Sequence, residues 1–239
     1  MKSITTGDNN VAVGTNSLLS NTTGYDNAVI GTNSMRNNTT GHQNVSTGHD
    51  ALGANTEGND NTAIGYRALA SNTTGSQNAA FGESALENYK TAVYNTAIGM
   101  YALQGSSVNP DGNTGYNNVA VGHSSMNSNT TGYSNVAVGK DALFGNTGGD
   151  SNVAVGNAAL QKNTARGNLA IGVAAAYENT TGTNVIAIGN EALKNYKTIN
   201  NNLAIGLQAM YGNAANPDGN TGYLNVAIGN YSLKNNTSG

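Results

Sequence analysis

The sequence has no cysteine and no tryptophan, and it has only two prolines and two phenylalanines in 239 residues. The absence of cysteine excludes a disulfide framework and leaves the cellular compartment open. Charged residues make up 10% of the chain, the net charge is −3, and no basic stripe is present. We therefore expect no nucleic-acid partner. No apolar run approaches the length of a membrane span, so we expect no direct membrane insertion.

Residues that carry catalytic or metal chemistry are also scarce. The three histidines, His42, His49 and His123, are scattered, and no paired carboxylates stand at ligand spacing. Asp111 and Asp218 lack the alternating acidic pattern of a dedicated calcium site. The sequence therefore predicts no catalytic residue, no cofactor and no metal, and we expect a protein that is not an enzyme.

What the sequence does contain is one short unit, repeated along nearly all of the chain. Asn, three small or branched apolar residues and Gly are followed by Ala or Ser, then Leu or Met, and a polar run that often ends in Thr-Thr-Gly. The anchoring glycines recur at a mostly constant spacing, and they are Gly14, Gly31, Gly48, Gly65, Gly82, Gly99, Gly122, Gly139, Gly156, Gly172, Gly189, Gly206 and Gly229. Such a period predicts an all-β, parallel β-solenoid of about thirteen 17-residue coils.

The residues before each anchor glycine alternate between β-branched and small side chains, which is typical of a short strand. We expect the Val/Ile pair to face the interior and the small residue between them to face outward, against another chain. A second strand is predicted at the Leu/Met position, with the preceding Ala or Ser on its reverse side. The small face thus predicts an oligomer interface at Ala63, Ala120, Ala137 and Ala154.

An asparagine stands just before the apolar residues of most units. Stacked coils would place these amides in a hydrogen-bonded ladder along the solenoid. We expect this structural ladder to include Asn27, Asn61, Asn118, Asn135 and Asn152. Asn-Thr-Thr formally matches the glycosylation acceptor pattern, but its place in the turn of the repeat is enough to explain it. It occurs at Asn21, Asn38, Asn72, Asn129 and Asn179.

A second, longer period relates two blocks of the chain. Asn-Tyr-Lys-Thr begins at Asn88 and again at Asn195, and Asn-Pro-Asp-Gly-Asn-Thr-Gly begins at Asn109 and again at Asn216. The coil that contains the second motif is enlarged in both blocks. We expect a single solenoid domain, residues 1–239. The added residues, near 105–115 and 212–222, should project from it as loops that do not disturb its register.

Loops on a repeat scaffold and exposed turn aromatics are candidate ligand-binding positions. The candidates are Asn109, Asp111, Asn216 and Asp218 in the loops and Tyr25, Tyr116, Tyr133 and Tyr223 after the turns.

The Asn-Val-Ala-Val/Ile-Gly core with a following Ala/Ser-Leu resembles the head repeats of trimeric autotransporter adhesins. It also resembles the Asn-Thr-Thr-Gly repeats of phage tail-fibre-like surface proteins. The resemblance extends from Thr5 to Gly239, although the unit is longer here than in the adhesins. It implies a left-handed β-roll, a homotrimer, and attachment to a host cell-surface or matrix receptor, carbohydrate included.

We therefore expect a structural and adhesive rod located outside the cell, on a cell surface or a virion. The absence of a signal peptide and of polar caps favours a fragment of a longer fibre, a phage protein, or chains stacked end to end. Two alternatives remain open: a self-assembling filament or sheath, and an ice-binding solenoid. The ice-binding alternative depends on threonine rows at Thr22, Thr39, Thr73, Thr130 and Thr180.

Overall fold

The computed structural model describes residues 6–236 and contains, in this range, thirteen β-strands of three residues and two 3₁₀ helices. The chain divides into two compact units, residues 1–118 and 119–239, which we call unit 1 and unit 2. Unit 1 contains β1 (Val11–Val13), β2 (Ala28–Ile30), β3 (Val45–Thr47), β4 (Thr62–Ile64), β5 (Ala79–Phe81), β6 (Thr96–Ile98) and the 3₁₀ helix Pro110–Gly112. Unit 2 contains β7 (Val119–Val121), β8 (Val136–Val138), β9 (Val153–Val155), β10 (Leu169–Ile171), β11 (Ile186–Ile188), β12 (Leu203–Ile205), the 3₁₀ helix Pro217–Gly219 and β13 (Val226–Ile228).

Within each unit, every strand pairs in parallel with the next one along the chain, and equivalent residues of successive coils lie side by side. Ala63 pairs with Ala80 in unit 1, and Ala137 pairs with Ala154 in unit 2. The prediction of an all-β, parallel β-solenoid is confirmed, and so is the predicted length of its coils. In unit 2 the register also survives the enlarged coil, since Ala204 still pairs with Ala227.

The two strand faces are the reverse of what the sequence pattern indicated. Ala63, Ala120, Ala137 and Ala154 point into the solenoid and are fully buried. The flanking β-branched residues face outward, as Ile64 and Val138 do with exposed fractions of 39% and 37%. The prediction of an oligomer interface at these four alanines is therefore wrong, because the chain itself covers them.

The narrow interior explains this reversal. Ser46, at the central position of β3, places its hydroxyl 2.7 Å from that of Ser34, which precedes Met35 in the Ala/Ser column. The two small-residue columns therefore face each other across the inside of the coil. Ala or Ser occupies the central strand position in every strand but β2, where Val29 is buried, so the interior holds mostly small side chains and the larger Val and Ile residues lie on the outer face.

The predicted second strand is absent from the described residues. The Leu/Met positions lie in turns instead, and their φ angles are positive, at 50° for Leu18 and 52° for Leu69. Such a conformation costs on the order of 1–3 kcal/mol for a residue other than glycine. Complete burial of the Leu18 and Leu69 side chains and a bond between coils, such as Leu18 N–H to Ser34 O at 3.1 Å, stabilise it.

Each anchor glycine except the last, Gly229, meets two requirements at once. Its φ is positive, 130° at Gly189, and its Cα lies so close to the next coil that a Cβ there would stand 2.4 Å from the oxygen of Gly206. Gly229 has a φ of 116° and no atom within 4 Å of such a Cβ. Close backbone stacking, in addition to turn geometry, therefore fixes glycine at this position in the interior coils.

We predict that Gly189→Ala destabilises the protein by several kcal/mol more than Gly229→Ala does. Both variants carry the strain of a positive φ, but only the first forces a coil out of contact with its neighbour. Urea unfolding monitored by circular dichroism measures the difference. Equal midpoints for the two variants would contradict the role of close stacking.

Candidate interaction surfaces

The predicted asparagine ladder is present in the interior of each unit. The backbone N–H of Asn152 donates to Oδ1 of Asn135 at 2.9 Å, and the Asn152 amide donates to the same oxygen at 3.1 Å. Asn61 donates to the carbonyl of Gly75 and accepts from the N–H of Asn78. Asn27, Asn61, Asn118, Asn135 and Asn152 are all buried. Their structural role is confirmed, and they present no surface to a ligand.

A second amide ladder, which the sequence analysis did not predict, occupies the Asn-Thr-Thr turns. Asn38 donates to Oδ1 of Asn21 at 2.8 Å and to the carbonyl of Gly41 at 2.9 Å, and Asn55 continues the series. The asparagine that recurs in this turn could have predicted the second ladder, just as the asparagine before each strand predicted the first. Because these amides are buried, the five asparagines of the Asn-Thr-Thr turns carry no accessible side-chain nitrogen. They are Asn21, Asn38, Asn72, Asn129 and Asn179.

The second ladder is interrupted where a tyrosine replaces asparagine, one coil before each enlarged coil. In unit 1, Tyr89 is fully buried at this position, and Oδ1 of Asn72 below it has no hydrogen-bond partner within residues 6–236. Gly105 makes room for the ring, because a Cβ at Gly105 would lie 2.8 Å from Cε2 of Tyr89. Asn113 then closes the inserted loop by donating to the carbonyls of Asn88 and Ser106.

Unit 2 repeats this arrangement with other residues. Tyr196 is fully buried, Gly212 faces its ring, and Asn220 donates to the carbonyl of Asn195 at 2.6 Å. A lysine next to each tyrosine reaches the loop aspartate. The pairs are Lys90 with Asp111 at 2.7 Å and Lys197 with Asp218 at 3.0 Å. Both aspartates proposed as ligand-binding candidates are thus engaged in surface ion pairs.

The other candidates are exposed but are not gathered into one site. Asn216 caps its 3₁₀ helix by accepting from the N–H of Gly219, whereas Asn109 makes no such side-chain bond. Tyr25 stacks on His42 of the next coil, with ring centroids 4.5 Å apart. Tyr116, Tyr133 and Tyr223 lie in separate coils, with exposed fractions of 40%, 37% and 68%. Partial exposure of the turn tyrosines is confirmed, and their ligand role stays a prediction.

A further candidate surface is the outer sheet face, which we define as the first and third residues of the strands of a unit. In unit 1 this face mixes Val, Ile and Phe with Ala and Thr. In unit 2 every such residue is Val, Leu or Ile. These fourteen residues are Val119, Val121, Val136, Val138, Val153, Val155, Leu169, Ile171, Ile186, Ile188, Leu203, Ile205, Val226 and Ile228. These side chains are partly to largely exposed, and a contiguous apolar surface of this kind is a candidate interaction site.

The described residues show no site for a bound metal and no membrane span. Among residues 6–236, no three His, Asp or Glu side chains cluster in a way that would hold an ion. No helix in that range has the length and apolar character needed to cross a membrane.

The fold and these surfaces define a repeat protein of the parallel β-solenoid class with an apolar outer sheet face. Comparison with protein-family models, with curated proteins and with solved structures gives no match. The surfaces themselves are therefore the basis for assigning a function.

Burial raises the pKa of Tyr196 to about 12, above its ordinary value of 10.0. Because the folded chain holds this proton more tightly than the unfolded chain, we predict that the stability contributed by Tyr196 is lost as pH rises from about 10 to 12. Unfolding in urea at pH 8 and pH 11 measures this loss. Tyr196→Phe has no such proton and should lose less stability over that interval, and identical losses would contradict the prediction.

Proposed function

We propose that this chain is a non-catalytic structural and adhesive module that associates with identical copies through its outer sheet face. The observation that carries the proposal is the unbroken Val, Leu and Ile surface of β7 to β13. A strand face that remained in water would carry Lys, Glu and Thr among its apolar residues. In residues 119–236 the strand side chains that build the interior are all alanines, so these larger apolar side chains are left outside it.

The energetics favour use of the whole face. Each outer side chain of unit 2 is already partly covered, so burying the remainder contributes roughly 0.5–1 kcal/mol per residue. Fourteen such residues contribute on the order of 10 kcal/mol, against an association cost of roughly 4–15 kcal/mol. A contact over two or three coils would contribute less than half of this, so the proposal uses parallel alignment of all seven strands.

We propose a homotrimer as the assembly. Three parallel copies around one axis would bring identical coils to the same level and turn each outer sheet face toward the others, and closed symmetry leaves no copy of the face in water. The resemblance to trimeric adhesin heads supports this arrangement and a left-handed coil. A location on a cell surface or a virion accords with such a module, and three copies of each site would raise the avidity for a host cell-surface or matrix receptor.

The ice-binding alternative has less support. Oγ1 of Thr22 donates to the carbonyl of Thr39 at 3.0 Å, and Oγ1 of Thr39 donates to that of Thr56 at 2.9 Å. Hydroxyls that bond to the neighbouring coil are not free to match water positions in ice. The mass of a filament would grow with protein concentration, whereas the mass of a trimer would not. Light scattering over a dilution series therefore separates the two.

We predict a discrete particle of three times the 24.2 kDa chain mass in multi-angle light scattering over a wide dilution series. The triple variant Val138→Lys, Ile171→Lys, Ile205→Lys should be monomeric, because it buries three charges if it associates. Its far-UV circular dichroism should match the wild type, since these side chains point outward.

A matched control carries three lysines away from the face, at the exposed positions Thr131, Asn157 and Thr181, and should remain trimeric. A wild-type monomer at every concentration would refute the proposal. A mass that grows with concentration would instead support the filament alternative.

A further inference from the structure

A groove on unit 1 combines cations with aromatic and amide side chains. One cavity of about 430 Å³ is lined by Arg36, Arg67 and Lys90 together with Asn33, Asn37 and the carboxylate of Asp50, which faces His49 at 3.0 Å. A second cavity, of about 580 Å³, shares Arg67 and Ser71 with the first. Its further lining includes Tyr66, Glu83, Glu87, Tyr101 and Gln104, and Pro110 of the inserted loop. We call the two cavities together the unit 1 groove.

The positive charge of unit 1 is concentrated in this groove. Arg36, Arg67 and Lys90 are the only lysines or arginines in residues 6–118. Arg36 is exposed and forms no ion pair within the described residues, its Nε lying 3.4 Å from Oδ1 of Asn37. Lys90 pairs with the exposed Asp111, and such a surface pair contributes only about 0–1 kcal/mol. A ligand anion therefore has two cations that it can recruit at small cost.

Arg67 is held in place at the junction of the two cavities. Its guanidinium lies 2.7 Å from Oε1 of Glu87, whose side chain is 7% exposed. The other oxygen of Glu87 accepts from the amide of Gln104 at 2.9 Å. With both oxygens engaged, Glu87 fixes the guanidinium, whose remaining donors line the groove.

The second cavity adds surfaces that suit a sugar. Tyr66 is 50% exposed and stacks on His49, and Tyr101, two coils further along and partly exposed, lines the same cavity. Aromatic faces pack against the apolar faces of sugar rings, while amides and hydroxyls such as those of Gln104 and Ser71 both donate to and accept from sugar hydroxyls.

Unit 2 shows that the solenoid does not need this lining. Between the two related blocks, the buried framework of the enlarged coil is retained, as in Tyr89 and Tyr196 or Asn113 and Asn220. The groove residues are not retained. The counterparts of Tyr66, Arg67, Glu87 and Tyr101 are Val173, Ala174, Lys194 and Gln208.

From these observations we propose that the unit 1 groove binds an acidic oligosaccharide, with its carboxylate or sulfate groups on Arg36, Arg67 and Lys90 and its rings on Tyr66 and Tyr101. The inference rests on the proposed adhesive function, for which it names the ligand class. Binding by one chain does not require the trimer, so the two proposals can fail separately.

Isothermal titration with short heparin oligosaccharides, which are sulfated, and oligogalacturonate, which is carboxylated, tests the proposal. Neutral dextran oligosaccharide serves as the reference ligand. We expect at least one acidic ligand to bind at least tenfold more tightly than dextran, with an affinity that falls as salt rises. The sulfated and carboxylated arms show which anion the groove takes.

Two double variants remove the two parts of the groove, and each uses residues that the same column already contains. In the first variant, Arg36→Gln and Lys90→Thr introduce the residues found at the equivalent positions of other coils, Gln104 and Thr73. In the second, Tyr66→Val and Tyr101→Gln introduce the counterparts from unit 2. Each should weaken acidic binding at least tenfold while light-scattering mass and circular dichroism stay unchanged. The control Lys140→Asn with Lys234→Gln removes two cations from unit 2 and should bind like the wild type.

Binding of neither acidic ligand, equal binding of dextran, or an equal loss in the unit 2 control would overturn the proposal. The lysine triple variant of the outer sheet face should still bind. Its binding as a monomer would support the groove even if the wild type proved not to be a trimer, and loss of binding in that variant would contradict a site contained in one chain.

Discussion

The structure depends on the spacing of one coil above the next. Parallel pairing holds the backbones of successive strands about 4.8 Å apart, and the anchor glycines allow the turns to approach equally closely. At that spacing the main neighbour of each side chain is the residue one repeat further along. A column therefore has to consist of residues that stack on themselves: amides bonded to amides, methyl groups beside methyl groups, and glycine against glycine.

This constraint decides what could be read from the sequence. The period, the strand before each anchor glycine, the Asn27 to Asn61 column and the in-register loop of unit 2 follow from identity at a fixed spacing, and all were predictable. Which face of a strand points inward does not follow from the period. The alternation of residues in β3 is compatible with either face pointing inward. The usual rule that Val and Ile are buried predicted the wrong face, because that rule assumes an interior wide enough for these side chains.

The missed features have related causes. Leu18 and Leu69 look like strand residues by composition, yet positive φ angles place them in turns, and only the fully buried side chain makes that conformation stable. The second ladder was not predicted from the sequence, because turn formation alone was enough to explain the recurring Asn-Thr-Thr-Gly. The unit 1 groove escaped notice because Arg36, Arg67 and Lys90 are far apart in sequence and belong to different columns, which only the coil geometry brings together.

The tyrosines that interrupt the second ladder have a consequence for how such a chain finds one alignment. In a sequence of nearly identical coils, slipping by a whole repeat would preserve most strand pairs and most amide bonds. The ring of Tyr89 faces Gly105, and Asn113 bonds the carbonyl of Asn88 next to it; Tyr196, Gly212 and Asn220 repeat the arrangement. Each ring therefore has one matching position in its unit, because a slipped solenoid would place the ring between two asparagine amides with no glycine to make room for it. Uniqueness in a repetitive protein is thus supplied by its few irregular coils.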